Sequence, residues 1–280
     1  MRKLIFQDLS GLILLLVISA GAVPAQKDAT PEAQRARLAK AEAMFKERCK
    51  TAGEKIYRTA ANVEGILLIK VRPQKRNFSD QFAMDDPYGK DFGGDAYIMS
   101  FLRGFNERRK ESVPGDPLRL GYFYVEALDP KDGQRYRYTG SIKDVEVKSS
   151  VLMGGDGKRT FVTKRFVLDK ILASGLTSRY GVTYNDISTR EEREYWIAGS
   201  SLKVMDLQTN QVMAERIGYM MDRGQGDTSG GRSPWLLAAN YACPDFHRYV
   251  SPVVKEPGSS AQTHQTADFV EKVIKPKVEN

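Results

Sequence analysis

Residues 226 to 235, Gly-Asp-Thr-Ser-Gly-Gly-Arg-Ser-Pro-Trp, place Gly226, Gly231, Arg232 and Ser233 at the spacing of a phosphate-cradling loop. Such a loop aims successive backbone N–H groups at phosphate oxygens, while a lysine reaches the terminal phosphates and a Ser/Thr hydroxyl holds magnesium. Here Arg232 stands where the lysine belongs, and no magnesium-binding acid following a strand is recognisable. The pattern does not specify nucleotide hydrolysis. It leaves a candidate anion-binding site at Gly231, Arg232 and Ser233, where a helix over Trp235 to Ala239 begins at Ser233-Pro234.

Other reactive patterns are weaker. Ser200-Ser201-Leu202-Lys203 fits Ser-x-x-Lys, but that motif must open a helix and needs companion motifs, whereas these residues fall in an expected strand. There is no Gly-x-Ser-x-Gly elbow and no His-Glu-x-x-His pair. His247 with Asp245 has the composition of an acid/base pair, with a surface histidine as the plainer reading. Asp85, Asp86, Asp91 and Asp95 miss the spacing of a calcium-binding EF-hand loop. No catalytic residue, metal site or cofactor is assigned. Carboxylates for glycoside cleavage come from distant positions in a chain, so the alternative to a binding protein is an envelope hydrolase acting on glycan or peptidoglycan through Asp/Glu. A third reading is an inhibitor of a secreted enzyme.

The amino terminus bears on where this chemistry would take place. Met1-Arg2-Lys3 is basic, Leu9 to Val23 is mostly apolar, and Val23-Pro24-Ala25 offers small residues for cleavage. The apolar run is shorter than the ~20 residues of a bilayer-spanning helix. A signal peptide over residues 1–25 is expected, giving a periplasmic or secreted chain with no membrane span after cleavage near Ala25. Cys49 and Cys243 are then expected to form a disulfide, since thiols oxidise outside the cytoplasm. The net charge of +8 suits an anionic partner, although acids and bases are interspersed along the chain. The partner classes are an envelope protein or an anionic envelope polymer. Nucleic acid fits poorly with an exported chain lacking an arginine-rich tract.

The elements that must position these residues are legible in outline. Thr30-Pro31-Glu32 opens a helix whose apolar stripe is Leu38, Ala41, Phe45, Cys49, Ala52 and Ile56. Glu64 to Arg72 forms a strand, and 74 to 95 a polar loop; 96 to 105 fits a strand or a short helix. Residues 118 to 128 and 134 to 142 form a hairpin around Asp129-Pro-Lys-Asp-Gly133. In its return strand Arg135 and Arg137 share one face and Tyr136 and Tyr138 the other, a candidate partner surface.

A further strand covers Tyr180 to Ile187, followed by a capping box from Ser188 with Glu191 or Thr189 with Glu192. A second hairpin pairs 195 to 207 with 212 to 221. The expectation is one α+β domain over 26–250, an N-terminal helix packed on a mainly antiparallel sheet built from hairpins. Residues 251–280 follow as a flexible tail with a short helix over 268 to 275.

Asp186-Ile-Ser-Thr189, Tyr195-Trp-Ile-Ala-Gly-Ser-Ser201, Asp206-Leu207, Gly218-Tyr-Met-Met-Asp222, Gly231-Arg-Ser-Pro-Trp235 and Ala242-Cys-Pro244 together resemble a group of exported bacterial envelope proteins of unassigned function. The likeness covers about the C-terminal third of the chain. It implies an envelope protein and nothing sharper, and no catalytic role comes with it. The expected function is binding or structural within the cell envelope.

Overall fold

The computed structural model describes residues 30–75, 77–83, 91–105, 120–149, 157–175, 178–245 and 265–278. The expected signal peptide, His247, His264, Asp85 and Asp86 lie outside the described residues. Contacts divide the chain into residues 1–36 and 37–280. In the first unit, helix α1 (Pro31–Cys49) begins, and the Ala33 N–H donates to Thr30 Oγ1 at 3.3 Å, the cap read from the sequence. The remainder of the fold belongs to the second unit.

Its centre is a mixed sheet with strand order β1-β9-β8-β7-β3-β4-β5-β6: β1 (Gly53–Ile56), β3 (Gly65–Leu68), β4 (Tyr124–Leu128), β5 (Arg135–Lys148), β6 (Thr160–Leu172), β7 (Tyr180–Asp186), β8 (Ile197–Asp206) and β9 (Gln211–Met221). The hairpins are as expected. Leu128 pairs with Arg135 across the β4–β5 turn, and Asp206 with Gln211 across the β8–β9 turn, where Asn210 holds φ +52°. Hairpins do not build the whole sheet, however. Strand β3 runs parallel to both β4 and β7, and the link from β3 to β4 contains helix α2 (Asp95–Met99).

One face of the sheet carries the main core. Ile66, Leu68, Val125, Ala127, Tyr138, Val182, Tyr184, Leu202 and Val204 project from its strands. They are covered by Tyr97 and Ile98 of α2, by Phe101 just after it, and by Ala267, Phe269, Val270 and Val273 of the C-terminal helix (Gln265–Val273). Tyr122 closes the contact by donating its hydroxyl to the Ile274 carbonyl at 2.6 Å. After that helix, Ile274–Pro276 runs parallel to β2 (Ala60–Val63). The helix read as part of a flexible tail is thus a core element: its apolar stripe was visible, but its docking place was not.

The opposite face is covered at one end by α1. Ala41, Met44 and Phe45 cluster there with Ile197, Tyr219 and Met221. The stripe does not continue as predicted, because the helix ends at Cys49 and Ile56 lies exposed in β1. A short helix, α3 (Arg190–Glu194), sits beside α1, and its capping box is complete: Glu192 N–H donates to Thr189 Oγ1 and Thr189 N–H to Glu192 Oε2. Buried Glu192 also pairs with Arg48 of α1. Among the described residues no helix is long and apolar enough to cross a membrane.

Candidate functional site

Cys49 and Cys243 form the expected disulfide, S–S 2.02 Å and Cα–Cα 5.6 Å. It has a simple topological reason. Gly53 of β1 pairs with Ile217, and Cys243 of the short strand β10 (Ala242–Cys243) pairs with Tyr219, so both segments lie along the same edge of β9. The bond joins two pieces of one interrupted edge strand. It also removes both sulfurs from nucleophilic or metal-binding roles.

The glycine-rich loop is closed on itself. Buried Asp222 accepts from the Gly224 N–H at 3.1 Å, the Gly226 N–H at 2.8 Å and Arg232 Nη2 at 2.7 Å. A second guanidinium nitrogen of Arg232 donates to the Asp227 carbonyl at 2.5 Å. Gly226 holds φ +86° directly against the Trp196 indole, where a Cβ would meet ring atoms at 2.3 Å. The anion site expected at Gly231, Arg232 and Ser233 therefore meets a guanidinium whose charge is matched from within. Ser233 makes no side-chain cap, and the Trp235 N–H donates to the Phe78 carbonyl at 3.1 Å. The helix it opens, α4 (Pro234–Ala238), supplies Trp235 to a buried cluster with Trp196.

The remaining candidates are likewise bonded within the chain. Ser200 and Ser201 lie buried in β8, where Ser201 Oγ donates to Glu215 Oε1 at 2.7 Å and Lys203 pairs with the same carboxylate at 3.4 Å. Asp91 accepts from the Thr266 hydroxyl at 2.5 Å, which ties its loop to the C-terminal helix. Among the described residues no group of His, Cys, Asp and Glu is arranged to hold a metal ion.

The surface predicted around Arg135, Tyr136, Arg137 and Tyr138 divides by face. Tyr138 is in the core at 4 % exposure, and the Tyr136 hydroxyl donates to Asp132 at 2.7 Å with Lys170 above its ring. No aromatic patch forms there. The arginine face behaves differently. Glu126, fully buried in β4, lies opposite Arg137 in register and accepts from Arg137 Nε at 3.2 Å and Nη2 at 2.8 Å. Arg135 Nε approaches its other oxygen at 3.9 Å. Arg137 also lies 4.1 Å from the centre of the Tyr124 ring.

A matching cluster stands across the same end of the sheet. Asp206, buried at the end of β8, accepts from Arg179 Nη2 at 2.9 Å and from Arg58 Nη2 at 3.2 Å. Those arginines stay about half exposed, at 48 % and 44 % of their side chains. The hydrogen bond from Arg179 holds the Asp206 carboxyl below its usual range. The two clusters are joined through adjacent residues, since the Ser178 N–H donates to Glu126 Oε2 at 3.1 Å and Arg179 serves Asp206. In register, Leu67 pairs with both Glu126 and Gly181, and Tyr180 pairs with Asp206.

The result is two arginine clusters, Arg135 and Arg137 on buried Glu126 and Arg58 and Arg179 on buried Asp206, each with one positive charge in excess among the residues named. Sequence reading singled out Arg135 and Arg137, together with Tyr136 and Tyr138, and did not single out Glu126, Asp206, Arg58 or Arg179 as members of a site. The signal for Glu126 was present: an acid inside the run Tyr-Val-Glu-Ala-Leu, placed opposite Arg137 once the turn at 129 to 133 fixes the register.

No known protein family matches the chain, and neither does any characterised protein or solved structure.

Proposed function

We propose that the chain is an exported protein with a binding role in the cell envelope, and that it holds an anionic envelope polymer on the two arginine clusters, Arg135 with Arg137 and Arg58 with Arg179. The observation that carries this reading is the anchoring of four partly exposed guanidinium groups by two fully buried carboxylates. A free arginine loses side-chain entropy when it grips a ligand, about 2 kcal/mol at most, and an arginine already pinned by a carboxylate has lost much of it. Planar guanidinium groups suit phosphate and carboxylate oxygens, to which they donate paired N–H bonds. The basic leader and the disulfide support export, as does the resemblance of the C-terminal third to exported envelope proteins.

The same geometry weighs against a hydrolase built on these acids. A general acid needs a raised pKa, whereas Arg179 holds Asp206 low. Glu126 and Asp206 stand on β4 and β8, three strand spacings or about 14 Å apart, beyond the separation used by glycosidases.

The test is binding of labelled polyphosphate and of a neutral polymer of equal length to the oxidised protein. Polyphosphate should bind, weaken with salt, and weaken roughly tenfold further in Arg58→Gln, the loss of one charge-assisted contact. Arg179 still satisfies Asp206 in that variant, so the fold is kept. Equal binding of both polymers, or no binding at low salt, would refute the proposal.

A further inference from the structure

The long β5–β6 ribbon extends beyond the rest of the sheet. Strand β4 pairs with β5 only from Arg135 to Tyr138, whereas β6 follows β5 all the way to Lys148. Among the described residues, the ribbon from Thr139 onward is two strands wide and β6 has no neighbour on its far side. A two-stranded ribbon is marginal in water. This one also exposes apolar side chains at both ends of its outer strand, Phe161 and Val162 at 52 % and 62 %, Ile171 and Leu172 at 67 % and 60 %.

The backbone shows what that edge offers. The Ala173 N–H donates to the Arg135 carbonyl and the Ser149 N–H to the Arg159 carbonyl, bonds that flank the ribbon on either side. Antiparallel residues alternate between bonding to the partner strand and pointing away. The register between β5 and β6 is unbroken, so the odd-numbered residues of β6 bond to β5. The N–H and C=O groups of Val162, Lys164, Phe166, Leu168, Lys170 and Leu172 therefore face outward. Six consecutive outward pairs make a template for one more strand.

We propose that this strand is β6 of a second copy of the chain, paired antiparallel about a twofold axis at Val167. That register sets Val162 against Leu172 and Phe166 against Leu168, twice each, on the face that carries Tyr138. On the other face it sets Arg165 against Asp169, again twice, beside Lys143, which already donates to both Asp169 oxygens at 2.9 Å. Opposite charges and apolar side chains directly across a ladder each stabilise by about 0.2–1 kcal/mol, and here every such pair is doubled by symmetry. The opposing pair is Lys164 with Lys170, and Lys170 is already held by Asp129 at 2.5 Å.

Sedimentation velocity of the oxidised protein, from low micromolar to submillimolar concentration, tests this. A dimer is expected. Lys164→Pro removes one outward N–H without touching the bonds to β5 and should leave a monomer, while Lys164→Ala should remain dimeric. Arg165→Glu should likewise give a monomer, and adding Asp169→Arg should restore the dimer by exchanging the two charges, with circular dichroism confirming that every variant is folded. A monomer at all concentrations, or a dimer indifferent to Lys164→Pro and Arg165→Glu, would overturn the proposal.

Discussion

The backbone N–H of Ser178 donates to Glu126 Oε2 at 3.1 Å, while its neighbour Arg179 reaches Asp206, so one dipeptide couples two buried carboxylates on strands β4 and β8. This joint links the two arginine clusters through the backbone. Removing Glu126 takes the carboxylate acceptor from Arg137 and from the buried Ser178 N–H, while Arg135 keeps the Gly175 carbonyl. Breaking a buried pair in this way costs about 3–5 kcal/mol. Glu126→Ala should lose stability on that scale in urea titration, and lose more than Arg58→Gln, whose carboxylate keeps a second arginine.

The disulfide closes a separation of 194 residues. In the chain-entropy model, a loop of that length contributes about 5 kcal/mol, and the native geometry needs only the two adjacent segments on the β9 edge. Cys49→Ser with Cys243→Ser should therefore lower the urea midpoint strongly. Adding reductant to the wild-type protein should reproduce the shift, and reductant should leave the double variant unchanged.

Asp206 makes stability depend on pH in a definite direction. Its carboxyl titrates lower when folded than its ordinary value of 3.8, chiefly through the hydrogen bond from Arg179. A depressed folded pKa gives stability that is fully present above the unfolded value and is lost as pH falls through the folded one. Melting temperatures should accordingly fall below about pH 4. In Asp206→Asn, that part of the acid limb should flatten, at the cost of lower stability at neutral pH.

The C-terminal helix predicts a contrast between a tail and a core element. Phe269 is 1 % exposed among core side chains. Phe269→Ala should destabilise by about 3–5 kcal/mol, the cost of a large cavity. A flexible appendage would instead tolerate the change within about 0.5 kcal/mol.

Much of this architecture was legible because it is written locally. The β8–β9 hairpin followed from alternation on either side of a turn with Asn210, the Thr189–Glu192 box from spacing, and the disulfide from compartment and parity. The ribbon strand β6 was missed because both of its faces are largely exposed, so its apolar and charged residues show no clean alternation. The 3-parallel-to-4-and-7 pairing was missed because parallel neighbours meet only through long connections. Alternation separated Arg135 and Arg137 from Tyr136 and Tyr138 correctly, but it does not say which face meets the core, and Tyr138 proved to be inside. Arg232 looked available because its partner Asp222 lies ten residues back, just past the end of β9, a pairing made only when the loop folds over.

The most direct test of the two arginine clusters is the NMR spectrum of the guanidinium Nε–Hε groups during titration of the oxidised protein with polyphosphate. The account predicts shifts at Arg58, Arg135, Arg137 and Arg179, with Arg232, bonded within its own loop, left unmoved. Shifts confined to other arginines, or none at saturating polyphosphate, would contradict it.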